Sequence, residues 1–129
     1  MAYDLKSESE VKDYIKNLGI EYRFGCYSEK NPEVCHLLAD FLDAIKKDFE
    51  KAAKVYKTNC DEYKFGKSCL KYGAYCITGK GVKKTDYPAA YSYLRKGATW
   101  TNPTPALIKA YYWLRKMSPL DSIKTSKKE

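Results

Sequence analysis

The sequence predicts an all-α fold in which helical hairpins stack as an α/α solenoid. Apolar residues recur every three or four positions in separate stretches, each opened by a capping residue or a first-turn proline. The pattern also repeats, because Cys26 and Cys35 have counterparts in Cys60 and Cys69, 34 positions later. A period in the thirties made of two helices is typical of solenoids, in which each hairpin buries its inner face against its neighbours.

The N-terminal segment, residues 1–24, predicts a capping helix. Ser7 and Glu10 stand at the spacing of a capping box. Gly19 follows the last apolar position and is expected to end the helix. The apolar face consists of Val11, Tyr14, Ile15 and Leu18.

Residues 25–60 are expected to form a first repeat of two helices. Asn31 and Pro32 supply an N-cap and a first-turn proline for the first of them. The second is expected to run from near Asp48 to about Cys60. The two apolar stripes are Cys35, Leu38, Phe41, Leu42 and Ile45, and then Phe49, Ala52, Ala53 and Tyr56.

Residues 61–98 repeat this arrangement. We expect a polar loop at 61–67 containing Gly66, then a helix that Ser68 caps and Gly79 ends. Asp86 opens the next helix, with Pro88 in its first turn. The apolar stripes are Cys69, Tyr72, Gly73, Cys76 and Ile77, and then Ala89, Ala90, Tyr93 and Leu94.

Residues 99–117 predict a C-terminal capping helix. Thr104 and Pro105 provide its cap and first-turn residue, and Arg115 and Lys116 suit its C-terminal end. After Met117, residues 118–129 are polar and unpatterned, so we expect a disordered tail. The apolar side of this helix consists of Ala106, Leu107, Ala110, Tyr111 and Leu114.

The composition narrows the function classes. A chain of 129 residues fits one domain, and 24 Lys and Arg against 16 Asp and Glu give a formal charge of +8. Because the basic residues are spread along the chain without an RNA-binding or helix-turn-helix signature, we expect no nucleic-acid partner. The N-terminus has no apolar signal-peptide region, and no run approaches the roughly 18 apolar residues of a membrane span. We therefore expect no secretory signal and no membrane insertion.

Two Cys-x8-Cys pairs stand at equivalent places in the two repeats, each joining the end of one helix to the first turns of the next. Disulfides Cys26–Cys35 and Cys60–Cys69 are the favoured interpretation, and closing both loops is worth about 5 kcal/mol. A four-cysteine zinc site is one alternative, although structural zinc pairs usually have about two to four residues between ligands. Reduced core thiols are the other.

No arrangement of residues predicts catalysis. Cys76 falls on an inner helix stripe and is expected to be a packed thiol. His36, the single histidine, directly follows Cys35. Adjacent helical side chains point about 100° apart, so the two do not converge as nucleophile and base. No serine-hydrolase or phosphate-loop motif is present, and we expect no catalytic residue, no metal and no cofactor.

The second repeat resembles a Sel1-like repeat. The resemblance implies Sel1-like (TPR-like) helical hairpins, whose glycines allow close helix contact and a tight interhelical turn. It is carried by Cys69-x-x-Tyr72-Gly73-x-x-Cys76-x-x-Gly79-x-Gly81-Val82 and by Asp86-x-x-Ala89-Ala90-x-x-Tyr93-Leu94.

Three further segments resemble the Sel1-repeat family of cytochrome c oxidase assembly factors, over about residues 9–98. This resemblance implies a non-enzymatic scaffold for assembling mitochondrial respiratory chain complexes. It also implies a place in the intermembrane space, reached through the oxidative import machinery, with respiratory-complex subunits or assembly factors as partners. The segments are Cys26-Tyr27-x-Glu29-Lys30-x-Pro32-x-x-Cys35, Phe49-Glu50-x-Ala52-Ala53-Lys54-Val55-x-Lys57-x-Asn59-Cys60 and Gly73-Ala74-Tyr75-x-x-Thr78-Gly79-Lys80-Gly81.

The chain is expected to depart from this family after residue 98. Family members continue through further repeats, whereas the next first-cysteine position here is Ala98, and the segment from Thr99 is expected not to match. We therefore expect a shortened member. Haem binding, which has been linked to the family, is not transferred, because we expect the repeats that could supply axial ligands to be missing. His36 and Met117 are not proposed as a ligand pair.

Tyrosine offers a large contact area with a polar tip, which suits protein interfaces. We expect Tyr56, Tyr75 and Tyr91 to line a concave partner-binding face, although many of the tyrosines are expected to pack between repeats. Two other functions stay open at this point. One is a cysteine-rich Sel1-repeat enzyme, either a thiol oxidoreductase that uses Cys76 or a β-lactamase-like protein, and the other is a generic interaction adaptor.

Overall fold

The computed structural model describes residues 7–101 and, beyond them, residues 105, 108, 109, 112, 113 and 116. The described residues form five α-helices, a short π-helix and no strand, so the prediction of an all-α protein is confirmed. The elements are α1 (Glu8–Arg23), the π-helix (Phe24–Ser28), α2 (Pro32–Ala44), α3 (Phe49–Tyr63), α4 (Gly66–Thr78) and α5 (Tyr87–Trp100).

The predicted C-terminal capping helix can be compared with the structure at only some of its residues. The six described positions between 105 and 116 are all helical, in agreement with a helix there. Its expected apolar side and the expected disordered tail at 118–129 lie outside the described residues. The apolar positions concerned are Ala106, Leu107, Ala110, Tyr111 and Leu114.

Helix α1 is longer than predicted, and its capping box is not formed. Ser7 occupies the N-cap position without capping a backbone N–H, and its Oγ lies 3.1 Å from Ser9 Oγ instead. Gly19 does not end the helix but is buried within it. A β-carbon at Gly19 would lie 3.2 Å from the Phe41 ring. Gly19 therefore serves close packing of α1 on α2, which a pattern read within α1 alone does not reveal.

The π-helix continues α1 and carries Cys26 toward α2. The N–H of Glu29 donates to the Phe24 carbonyl at 3.1 Å, which is the i→i+5 bond of this helix type. Gly25 permits the close approach, because a β-carbon there would come within 2.6 Å of Val34. The chain then turns directly into α2.

Three of the predicted helix starts are formed as expected. The Asn31 side chain accepts a hydrogen bond from Glu33 N at 3.0 Å and caps α2, with Pro32 in the first turn. Asp48 accepts from Lys51 N at 3.3 Å and caps α3. In the same way, Asp86 accepts from Ala89 N at 3.1 Å and caps α5, with Pro88 in its first turn.

The predicted loop at 61–67 is wrong, because α3 runs to Tyr63 and α4 already begins at Gly66. Ser68 is therefore not a cap but a fully buried residue inside α4. Gly66 lies against α5, since a β-carbon there would come within 2.9 Å of the Trp100 backbone. The first residue of α4 is thus packed against the end of α5.

Lysines with left-handed backbone stand at three turns between the helices. Lys64, directly after α3, has φ 54°, and Lys30 and Lys47 have φ 54° and 53°. An L-residue other than glycine in this region costs about 1–2 kcal/mol. The turns thus retain some strain that a glycine would not carry.

Two buried clusters form the core, and α4 contributes to both. The larger cluster lies among the π-helix, α2, α3 and α4, and the smaller one lies between α4 and α5. In the turn after α4, Gly79 ends the helix with φ 76°, as predicted, and Gly81 has φ 70°. A β-carbon on Gly81 would overlap the Phe49 carbonyl, so this turn is packed directly on the start of α3.

Candidate functional site

Disulfide bonds join successive helices at both predicted places. Cys26–Cys35 links the π-helix to α2, with 4.5 Å between the Cα atoms, and Cys60–Cys69 links α3 to α4, with 4.8 Å. These four cysteines are therefore neither zinc ligands nor free thiols in this structure. The two pairs differ in exposure, since Cys60 and Cys69 are completely buried whereas Cys26 and Cys35 keep 6% and 4% of their surface accessible.

A groove lies beside the first disulfide, between the π-helix and the C-terminal half of α3. We call it the disulfide groove, and its volume is about 310 Å³. Its buried lining consists of the disulfide, Val55 and Asn59. The exposed part of its lining includes Tyr27, Lys30, Lys54, Glu62 and Tyr63.

The rim of the disulfide groove carries aromatic surface and unpaired charge. Tyr27 is 60% exposed and Tyr63 is 36% exposed. Neither Lys30 nor Lys54 forms an ion pair within the part of the chain that the structure describes, and Glu62 forms none there either. Large exposed apolar area next to a concavity is typical of interaction sites.

Asn59 ties the buried lining of the groove to two other helices. Its Nδ2 donates to the Pro32 carbonyl and to Ser68 Oγ, both at 2.9 Å, although only 1% of the residue is exposed. Its Oδ1 is also buried, and no donor from the described residues reaches it. A buried carbonyl oxygen without a donor costs about 1–3 kcal/mol.

A chain of polar contacts continues from Ser68 through His36 to Asp40. His36 Nδ1 lies 2.8 Å from Ser68 Oγ, and its Nε2 lies 3.6 Å from Asp40 Oδ2. The Tyr56 hydroxyl donates to the other oxygen of Asp40. Burial lowers the pKa of His36, against the opposing effect of Asp40, so the neutral ring is favoured. The single histidine therefore links α2 to α4 and has no cysteine partner.

The predicted tyrosine face is not present as proposed. Tyr56 is completely buried and Tyr75 is 3% exposed, with their rings in edge-to-face contact at 5.5 Å. Both rings pack between α3 and α4, because an amphipathic ring at an inner helix position stabilises the fold more when it is buried than when it is exposed to solvent. Their side chains are consequently not open to a partner here. Tyr91 is half-buried, and its role stays a prediction.

Cys76 is the free cysteine of the described residues, and it is buried, with 2% of its surface exposed. Burial raises the pKa of its thiol to about 11. The thiolate is the nucleophilic form, and this thiol stays mostly protonated near neutral pH. Among the described residues no group of three or more His, Cys, Asp and Glu side chains is placed to hold a metal ion.

Sequence reasoning missed the disulfide groove and the role of Asn59. The groove depends on the approach of residues 26–35 to residues 54–63, which no local pattern encodes. One signal was present, since a polar Asn59 next to Cys60 on an inner stripe is the kind of residue that requires a buried partner.

No protein-family model matches the chain, but curated relatives do. The cytochrome c oxidase assembly factor 7 homolog of Drosophila melanogaster is 54% identical over 121 residues, covering 92% of this chain and 46% of that protein. Cytochrome c oxidase assembly factor 7 of Xenopus tropicalis is 50% identical over 93 residues, covering 72% of this chain and 40% of its own length. The Homo sapiens protein of that name is 45% identical over 87 residues, covering 67% and 38%.

These comparisons correct one expectation. A match over 92% of the chain extends well beyond Thr99, so the expectation that similarity ends near residue 98 is wrong for the Drosophila relative. The chain spans less than half the length of each of these three relatives. In the part of the chain that the structure describes, every helix is too short or too polar to cross a bilayer.

Proposed function

The chain belongs by sequence to the cytochrome c oxidase assembly factor 7 family, and on that premise we propose that it is a non-enzymatic scaffold for assembling cytochrome c oxidase and other respiratory chain complexes. The observation that carries this proposal is the 54% identity over 92% of the chain. Because the chain covers only 38–46% of the length of these relatives, the activity of the whole protein is transferred here as a proposal.

The proposed architecture is a short solenoid of Sel1-like repeats. Two helical hairpins, α2–α3 and α4–α5, follow each other, and the disulfides join each hairpin to the preceding helix. Since hairpins of this kind bury their faces against neighbours, covalent links between successive units stabilise an array with few repeats. A rigid array presents a fixed surface, which is the property that a scaffold requires.

We place the protein in the mitochondrial intermembrane space, with entry through its oxidative import machinery. Disulfides persist in oxidising compartments and are rare in the cytosol, and both pairs are formed in this structure. Respiratory-complex subunits or assembly factors are the proposed partners. A non-catalytic role agrees with the burial of Cys76 and with its raised pKa, which keeps the thiol mostly protonated near neutral pH.

Deleting the gene and measuring assembled respiratory complexes on blue native gels tests the proposed role. We expect a loss of mature cytochrome c oxidase, and re-expression of the chain should restore it. Normal amounts of every respiratory complex in the deletion strain would show that the proposal is wrong.

Location is tested separately by protease protection of fractionated mitochondria. The protein should resist protease in intact mitochondria and become sensitive once the outer membrane is ruptured by swelling. Resistance that persists after swelling would place the protein in the matrix and contradict the proposed compartment.

A further inference from the structure

We propose that the disulfide groove binds an extended acidic peptide segment of a partner protein, with one aromatic or large aliphatic side chain inserted beside the Cys26–Cys35 disulfide. This inference rests on the proposed scaffold function and specifies the chemistry of its partner. The site is distinct from the tyrosine face expected from the sequence, since Tyr56 and Tyr75 are buried.

The shape and lining of the groove favour an apolar anchor. A volume of about 310 Å³ lies near the lower end of the range for ligand pockets, which is enough for one large side chain and its flanking backbone. The buried lining contains the disulfide and Val55, and the rings of Tyr27 and Tyr63 stand at the rim. Exposed tyrosines of this kind supply contact area at a low cost in side-chain entropy.

The charges of the groove favour acidic groups beside that anchor. Lys30 and Lys54 contribute two positive charges, against one negative charge from Glu62, and none of the three forms an ion pair among the described residues. The ammonium groups are therefore free to pair with carboxylates of an occupant. The formal charge of +8 on the whole chain adds long-range attraction for an acidic partner.

The charge count of the site favours a peptide over an anionic bilayer. The groove is a concavity of about 310 Å³ with two lysines in its lining, whereas recognition of anionic lipids typically uses clusters of about four to eight Lys or Arg. Two lysines beside an apolar pocket match the carboxylates that flank one inserted side chain.

The test uses the full 129-residue chain and three fluorescein-labelled peptides of about five residues. The first has Phe at its centre flanked by Asp and Glu on both sides, the second replaces Phe by Ala, and the third replaces the acidic residues by Lys. Fluorescence anisotropy should show saturable binding of the first peptide, with at least about tenfold weaker binding of the other two. Amide shifts in ¹⁵N-labelled protein should concentrate at Tyr27, Thr58 and Glu62.

Charge reversal separates groove binding from general attraction. The double variant Lys30→Glu with Lys54→Glu should weaken binding of the acidic Phe peptide at least about tenfold. The matched control, Lys83→Glu with Lys84→Glu, changes the net charge equally at residues outside the groove and should stay within about twofold of the parent. Circular dichroism of both variants checks that the helices are intact.

Each other outcome overturns the inference. No saturable binding, equal binding of the Phe and Ala peptides, or equal weakening by both double variants would each remove the groove as an acidic-peptide site. Binding only to vesicles that contain phosphatidylglycerol would assign it to lipid instead. The scaffold function is judged independently: if the groove variant still restores cytochrome c oxidase in the deletion strain and no peptide binds, only the groove assignment is lost.

Discussion

Removing the Cys60–Cys69 disulfide should destabilise the protein more than any surface change. The bond joins residues nine positions apart, and the chain-entropy relation gives about 2.7 kcal/mol for a loop of that size. Both cysteines are completely buried, and replacing them by alanine removes two sulfur atoms, each comparable to a buried methylene worth about 0.8 kcal/mol. The double variant Cys60→Ala with Cys69→Ala should therefore lose about 4 kcal/mol of unfolding free energy.

Urea unfolding followed by far-UV circular dichroism measures this loss from the shift in midpoint at an unchanged slope. The internal comparison is Cys26→Ala with Cys35→Ala, which opens a loop of the same length at a pair that is 6% and 4% exposed. Because these cysteines are also buried in the core, this variant should lose a comparable amount. A loss below about 1 kcal/mol for either pair would refute the reasoning.

Three further predictions follow from the turns and the buried histidine. Gly81→Ala should lose about 2–4 kcal/mol of unfolding free energy in urea, because the left-handed backbone and the overlap with the Phe49 carbonyl both oppose a β-carbon. A loss under about 1 kcal/mol would contradict this contact. Lys47→Gly should gain about 0.5 kcal/mol of unfolding free energy in the same assay. The strain of a lysine at φ 53° is removed, and this gain exceeds the cost of the extra entropy that glycine gives the unfolded chain. A loss of stability would show that the strain is absent. Burial holds the pKa of His36 in the folded state below its ordinary value of 6.5, so the unfolded chain binds the proton at a higher pH than the folded chain does. The unfolding free energy should therefore fall as pH drops below about 6.5. The same fall in the His36→Gln variant would assign the effect to other groups.

Helix starts were predictable wherever a side chain caps the backbone of its own first turn. Asn31, Asp48 and Asp86 each accept from an N–H two or three residues later, so the sequence near each of them is sufficient. The predictions at Gly19 and Ser68 were wrong for the opposite reason. Both residues are determined by contacts with other helices, with Phe41 for Gly19 and with Asn59 and His36 for Ser68.

In the candidate site, too, features set by local sequence were predictable and features set by contacts between helices were not. The disulfide pairs were predictable because the equivalent spacing of the cysteines in two repeats is a property of the sequence alone. The groove was not, because its volume depends on how residues 54–63 pack beside the first pair. Nor could the pattern distinguish exposed tyrosines from packed ones, since Tyr56 lies on a predicted apolar stripe and Tyr75 lies outside one, yet both are buried.

The burial of Cys76 in the same helix as Cys69 bears on which thiols become oxidised together. In an unstructured chain, Cys69 and Cys76 close a smaller ring than Cys60 and Cys69 do, and chain entropy alone favours that wrong pairing. Once α4 has formed, the helical rise separates the two cysteines by about 10.5 Å along its axis, beyond the reach of a disulfide. Helix formation therefore excludes the Cys69–Cys76 pairing, whereas an oxidant that acts before α4 has folded can form it.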